Sequence, residues 1–590
     1  MKISSEILIL FPFLIFATPR PQIISETECM NRIKKVLKYP ALAGAKTLET
    51  LPHQKCATLL MGHVQKYRSS FKTENQMVLS KLLAGRPNYN NHYKSQGGNF
   101  KIWWTNTGLN APSLSDTNNN TVPDYVESCG QIFDSVWNFQ IVGLGFSPPP
   151  RDSDFNPPLS FGGDSRYDIY LQEMEAYAYT WADYEAGTSY QSTSYIIMEN
   201  DYAGFPGYQN NPLDAVRVTA AHEFFHAIQF GYNNSTIGSG ESFYENSAVW
   251  MEEIEYTAIN DYYQYVNGLN GFFGTFPKTS LTTANFDFEY GAGIWPIFIS
   301  ERYGHAWMKS FWDQAKSEAL NWKSNYTTLQ VIFGNLATDW KKEFAEFSVW
   351  DYFIDTKADT SRFFPEGNFY YGLSLQKQVA GLEDSVETVI QGTLPYLTAQ
   401  YVEFIVNRNV GGNIQITCSA APGLTYRILS YDSLNAFSSA VELLDSGTFI
   451  QKDWQDYSRY TVVPIFYLSQ GTQPYTITAR LDSPTFFLKP KSQSLKQILF
   501  SSFPNPFKQS TNISITVPAS VMLPSALSLK IFNSSGLKVF EKKLFNPADF
   551  STSAPSLQFK WNPVNLPAGI YYAQLTGFKQ IYSVPLLYLK

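Results

Sequence analysis

Apolar and polar positions change rhythm several times along this chain, and each change marks a region. Across residues 26–83 apolar side chains recur at helical spacing, with Leu59, Leu60, His63 and Val64 on one stripe and Met77, Leu79, Leu82 and Leu83 on another. Gly85-Arg86-Pro87 ends that segment, which reads either as a removable pro-segment or as a helical brace. Residues 100–105, 167–171 and 194–198 are rich in aromatic and β-branched side chains and predict strands. Asn211-Pro212 then predicts a helix start, with Asn211 as cap and Pro212 at the first helical position, and Leu213, Val216, Ala220, Phe224 and Ile228 keep an apolar stripe. A second helix is expected from Glu245, where Ala248, Val249 and Glu252 share its face, and helical patterns continue to Ile354 along Trp340, Phe344 and Phe347.

Beyond Gly381 the period shortens to two. Residues 401–406, 413–417, 425–429 and 475–481 alternate as in a β-sandwich. A polar, proline-containing stretch, 488–497, precedes further strands at 513–517, 527–532, 557–561, 569–575 and 584–589. The expected fold is α+β and multidomain. A helical segment at 19–88 precedes a mixed sheet over a helix with a helical lower lobe at 89–380, a β-sandwich at 385–485 and an Ig-like domain at 496–590.

Composition narrows the setting. Only 16% of residues are charged, an equal share is aromatic, and the net charge of -7 gives no basic footprint for nucleic acid. Lys2, the apolar run 7–16 and the small Ala17 before Thr18-Pro19 read as a signal peptide over 1–18, so export is expected. No later run is long and apolar enough to span a bilayer. The four cysteines are too few for a disulfide framework, although Cys29 and Cys56 are close enough in sequence to pair or to stay as buried thiols.

Chemistry concentrates in His222-Glu223-Phe224-Phe225-His226. Residues four apart share a helix face, so His222 and His226 can offer two imidazoles to one zinc ion, with Glu223 as general base on a metal-activated water. Glu245, eighteen residues past His226, is the preferred third ligand; Glu241, Glu252, Glu253 and Glu255 are rivals, and Glu252 better fits an acceptor that orients a ligating histidine. Tyr290 is a candidate oxyanion donor, and His305 a weaker one. A second cluster, Asp116, Asn118, Asn120, Val122, Asp124 and Glu127, has the spacing of a calcium loop, with Thr121 where glycine is usual; an Asx-rich turn capping a helix over 126–137 is the alternative.

Two resemblances extend this reading. HExxH followed by Glu245-Asn-Ser-Ala-Val-Trp250 resembles the gluzincin class. With residues 116–127, Tyr167-Asp-Ile-Tyr170 and Tyr290-Gly291, it is similar to a family of bacterial secreted zinc metalloproteases known largely from genomes. That likeness implies a zincin-like catalytic domain, zinc ligands His222, His226 and Glu245, Glu223 as base, and a protein or peptide substrate. Phe503-Pro-Asn-Pro-Phe507, Ser535-Gly536, Leu566-Pro-Ala-Gly-Ile-Tyr571 and the terminal Lys590 resemble the C-terminal sorting domain of type IX secretion cargo. It implies the type IX machinery as partner and passage through the periplasm and outer membrane to the cell surface or medium. The other reading is an adhesive surface protein of β-sandwich modules whose zinc site is structural or decayed.

Overall fold

A computed structural model describes residues 24–589 except 39–52, 84, 155–160, 186–190, 209, 235–241, 318–324, 383–385, 407–411, 433–436, 452–453, 455–456, 483–498, 517–526, 544–555 and 579–581. The expected signal peptide, Glu241 and Lys590 lie outside the described residues. The chain divides into two compact units, one of residues 1–359 with 366–483 and one of 360–365 with 484–590. The whole is a mixed α/β multidomain protein with several sheets.

The first unit begins with α1 (Glu26–Val36), β1 (Gln54–Cys56), α2 (Thr58–Tyr67) and α3 (Thr73–Leu82), then β2 (Asn91–Lys94), β3 (Phe100–Trp104), α4 (Asp124–Trp137), β4 (Tyr167–Leu171), β5 (Ala176–Glu185) and β6 (Ser192–Met198). The six strands form one sheet in the order β1-β5-β6-β4-β3-β2. Strands β3, β4 and β6 are parallel, β5 runs antiparallel to β6, and β1 lies parallel to β5 in the register Gln54↔Ala176 and Cys56↔Ala178. Alternation divides the side chains between two faces. Tyr170, Tyr179, Tyr195 and Ile197 meet α1–α3 through Met30, Ile33, Leu60, Met61 and Leu79. Phe100 and Tyr167 face the other way, onto α5 (Pro212–Tyr232), where the Phe224 ring lies 5.1 Å and 5.8 Å from theirs.

Helix α5 departs from the expected single stripe. From Ala215 to Tyr232 every residue but Arg217 is buried, because the sheet, α4 and α6 (Phe243–Glu255) all pack against it. Pro212 does occupy the first turn, but the Asn211 side chain bonds the Asp214 carboxylate and makes no cap. Beyond α6, helices Ile294–Tyr303, Ala306–Ser317, Asn325–Asn335 and Trp340–Trp350 form a layer in which Trp295 packs on Phe347 and Trp340.

Strands from Lys377–Ala380 to Thr472–Asp482 make two sheets around a core that includes Leu394, Phe404, Ile416, Tyr426, Trp454 and Ile477. This sandwich belongs to the same compact unit as the helices. Trp340 Nε1 donates to the Tyr467 carbonyl at 2.9 Å, and Tyr401 OH to the Ser348 carbonyl at 3.0 Å. The second unit has a three-stranded and a four-stranded sheet over Ile513, Leu529, Ile531, Trp561, Tyr571 and Leu586. Among the described residues no helix is long and apolar enough to cross a membrane.

The pairing of Cys29 with Cys56 is overturned. All four cysteines are free and buried: Cys29 sits among the side chains of the α1–α3 layer, whereas Cys56 points at His226.

Candidate metal centre

Successive turns of α5 place His222 directly beneath His226, and their Nε2 atoms lie 3.1 Å apart. Helix α6 runs against α5 and carries Glu245 in its first turn, with Oε2 3.0 Å from His222 Nε2 and 3.4 Å from His226 Nε2. A fourth donor comes from far away in sequence. Cys56, at the end of β1, brings Sγ to 3.5 Å from His226 Nε2, so the ligand-type atoms of Cys56, His222, His226 and Glu245 all lie within 4.8 Å of one another.

The outer nitrogens fix the tautomers. His222 Nδ1 faces Glu252 Oε1 at 2.6 Å, and His226 Nδ1 faces Gln229 Oε1 at 2.7 Å. Gln229 is itself oriented, its amide nitrogen donating to the Tyr244 carbonyl at 3.0 Å and to Ser247 Oγ at 3.1 Å. Both outer partners accept, so each ring donates from Nδ1 and turns an Nε2 lone pair inward. With both rings neutral, two lone pairs and a carboxylate face one another without an imidazole donor between them, and Glu245 Oε1 is buried with no hydrogen-bond partner. A divalent cation fits such a donor set.

Electrostatics agree with the geometry. Burial disfavours charge on His222, but the hydrogen bonds to Glu245 and Glu252 outweigh it and raise its pKa to about 10. Burial also opposes the charge on Glu245, and the His226 and His222 rings outweigh it, holding the carboxyl well below the usual range. The pocket thus holds positive charge, as a proton on His222 or as a metal ion. Burial, then the charges of Glu223 and Glu245, push the Cys56 thiol well above its ordinary range, an effect that a bound cation reverses.

Glu223 stands beside the donor cluster, and its Oε2 accepts from Thr180 Oγ1 at 2.6 Å and Thr58 Oγ1 at 3.1 Å. Tyr290, in the short helix Phe288–Gly291, donates its hydroxyl to the Cys56 carbonyl at 2.7 Å. Its ring lies 6.5 Å from that of His222. Glu253 and Glu255 lie elsewhere on α6, where Glu255 accepts from Gln140, and His305 is exposed beside Trp250. Sequence reasoning missed Cys56, Thr58 and Thr180, and also Lys55, whose buried ammonium bonds Glu252 Oε2 at 2.8 Å and Asp261 Oδ2 at 2.5 Å.

The loop of Asp116, Asn118, Asn120, Val122, Asp124 and Glu127 lies at the surface, with Asn118 and Asn120 exposed and the others half-buried, and folds on itself. Asp116 accepts from the Asn120 and Thr121 amides, Asp124 from Thr117, and Glu127 from the side-chain amides of Asn118 and Asn120, while Asn120 Oδ1 accepts from the Val122 amide. Thr121 has φ of 72°, the left-handed turn that glycine adopts without strain. Asn118 and Asn120 each accept from the backbone amide two residues on, so the Asx-rich turn is present, but helix α4 starts at Asp124 with no side-chain cap bond.

Comparison with known proteins decides where the protein goes. Residues 501–584 match the family described as secretion system C-terminal sorting domain. The chain carries a type IX sorting tail. It is therefore a secreted or cell-surface protein, and the type IX machinery is its export partner. No curated protein matches the chain. Among solved structures it is similar to a PliG mutant, a periplasmic inhibitor of g-type lysozyme from Escherichia coli, at 11% identity over 18% of this chain and 98% of that one, with a TM-score of 0.13. It is also similar to a β-glucuronidase of glycoside hydrolase family 2, at 10% identity over 34% and 24% with a TM-score of 0.12, and to one from Bacteroides uniformis, at 14% over 34% and 26% with a TM-score of 0.11. Likenesses this slight carry no argument about the site, and the sorting tail says nothing of what the exported part does.

Proposed function

We propose that the exported chain is a zinc-dependent endopeptidase with a zincin-like catalytic region, in which His222, His226 and Glu245 bind the metal and Glu223 is the general base. The observation that carries this reading is the meeting of two inward Nε2 lone pairs with the Glu245 carboxylate, one oxygen of which has no partner. Zinc bound there would supply a Lewis acid to polarise a peptide carbonyl and activate water. Glu252 and Gln229 hold the two rings in the tautomer that ligates. Glu223, whose carboxylate is held by Thr180, would take the proton from water. Tyr290 already donates to a backbone carbonyl, the bond an oxyanion would strengthen.

Purified protein should carry one zinc per chain, and peptide cleavage by the enzyme with its site opened should be lost on chelation. Glu245→Ala should lose most of the metal by mass spectrometry; full zinc content in that variant would remove Glu245 from the ligand set.

One observation favours the second reading, an adhesive protein with a structural zinc. Cys56 gives the cluster four protein donors, and a closed set of four is the form of a structural site. Under that reading the chain cleaves nothing with the Cys56 donor removed.

Calcium at the Asp116 loop belongs to the same proposal, supported by the left-handed Thr121 at the sharp turn and by Glu127 turning both oxygens inward. At a hundred times its Kd calcium should add about 2.7 kcal/mol to the stability of the first unit. Glu127→Ala should abolish that gain in a thermal melt; wild type that melts identically with and without calcium leaves the loop a plain turn.

A further inference from the structure

The site described above is sealed. His222, Glu223, His226, Glu245 and Tyr290 are each at most 1% exposed, too little for a polypeptide to reach them. Strand β1 and the residues just after it form one wall of that cover, meeting His226, Glu223 and Tyr290 directly. It adds to the sheet beside β5, with Gln54 N donating to the Glu175 carbonyl at 3.1 Å and Ala57 N to the Ala178 carbonyl at 3.0 Å. Main-chain pairing at a sheet edge is how an extended peptide is commonly held in a groove.

Each part of this segment meets one part of the proposed chemistry. The Cys56 thiol stands among the metal donors, the Cys56 carbonyl accepts from Tyr290, and Thr58 bonds the Glu223 carboxylate. Lys55 fills a side-chain pocket formed by Glu252, Asp261 and the Tyr177 ring. A structural zinc site needs a fourth donor, but it has no use for a backbone carbonyl on a buried tyrosine hydroxyl or a threonine on a buried carboxylate.

We propose that Cys56 is the fourth protein ligand of the metal and that β1 lies where a substrate strand would lie, so that the exported enzyme is held latent by its own N-terminal segment. The inference rests on the metallopeptidase reading. With a cation bound, the Cys56 thiol would give up its proton to solvent and the thiolate would occupy the fourth position that a catalytic site keeps for water. Activity then requires the thiolate to leave and β1 to be displaced.

Cobalt(II) substitution of the full-length chain tests this without relying on turnover, because a thiolate on cobalt gives an intense near-ultraviolet charge-transfer absorption that nitrogen and oxygen ligands lack. One cobalt should bind with that absorption. Cys56→Ser should bind one cobalt without it, keep the wild-type circular dichroism, and cleave a short peptide about tenfold faster or more, the change expected if the strand loses about 1.4 kcal/mol of hold. One bound cobalt with no sulfur absorption in the wild type overturns the inference and leaves the metallopeptidase reading standing; the wild-type spectrum decides this even if the variant misfolds. Absorption that survives in Cys56→Ser also overturns it. Loss of the absorption with no gain in cleavage overturns the latency and favours a structural zinc, and failure to bind cobalt at all overturns both readings.

Discussion

Glu223→Gln should keep its metal and lose about 100- to 10,000-fold in peptide hydrolysis, the range supplied by a positioned general base. The metal is retained because the donor cluster is Cys56, His222, His226 and Glu245, with Glu223 outside it. The fold is retained because Glu223 Oε2 accepts from two hydroxyls, Thr58 and Thr180, and an amide oxygen in the same place accepts from both. What the amide lacks is the capacity to take a proton from water near neutral pH. A loss of that size corresponds to about 3 to 5 kcal/mol of barrier. The comparison should be made in the Cys56→Ser background as well as in wild type, so that latency does not mask it. A glutamine variant that hydrolyses peptides as fast as its parent, with the same zinc content, would remove Glu223 from the mechanism.

The parts of the site that sequence made legible are those within one helix or one turn of helix. His222 and His226 are four apart in a run whose neighbours fit a helix, so their common face follows from α-helical geometry alone. Glu245 was visible from its spacing of eighteen residues after His226, and Glu252 because it shares the face of α6 that Glu245 begins; the two meet the inner and the outer nitrogen of His222. Cys56 and Lys55 were not visible, since a three-residue strand has no periodicity to read and its partner β5 begins 120 residues later. Strand β5 itself did carry a signal. Tyr177, Tyr179 and Trp181 alternate with Ala176, Ala178 and Thr180 over its length, a period of two that predicts a strand. The place of the 377–482 sandwich was illegible for another reason: an alternating pattern fixes which face of a strand is buried but not what packs on it, and here Trp340, Ser348 and Tyr352 of the helical side meet Tyr467, Tyr401 and Glu403 of the sandwich.

Lys55→Met should destabilise the full-length chain by about 3 to 5 kcal/mol, the usual cost of deleting one member of a buried ion pair. Methionine nearly matches the lysine side chain in length and fills the same space, so packing is largely kept and the loss is electrostatic. Burial disfavours the Lys55 ammonium, but Asp261 and Glu252 outweigh it and raise its pKa above the ordinary value. A raised lysine pKa contributes stability that is present in full below the ordinary lysine value and fades only as alkali titrates the folded form, so the difference between variant and wild type should be undiminished at neutral pH. Without the cation, Asp261 keeps Tyr208 and Gln264 as donors, whereas the Glu252 carboxylate keeps, among the described residues, His222 alone. The buried carboxylate left short of a partner is therefore Glu252, and the loss of stability falls chiefly on it. The compact unit that holds Lys55 comprises residues 1–359 and 366–483, and at about 2.1 cal/mol/K of unfolding entropy per residue a unit of that length melts about 1 °C lower for each kcal/mol lost, so calorimetry should show a drop of about 3 to 5 °C. An unchanged melting temperature would mean that β1 is not seated between Glu252 and Asp261 in solution, and the substrate-like placement of that strand would fall with it.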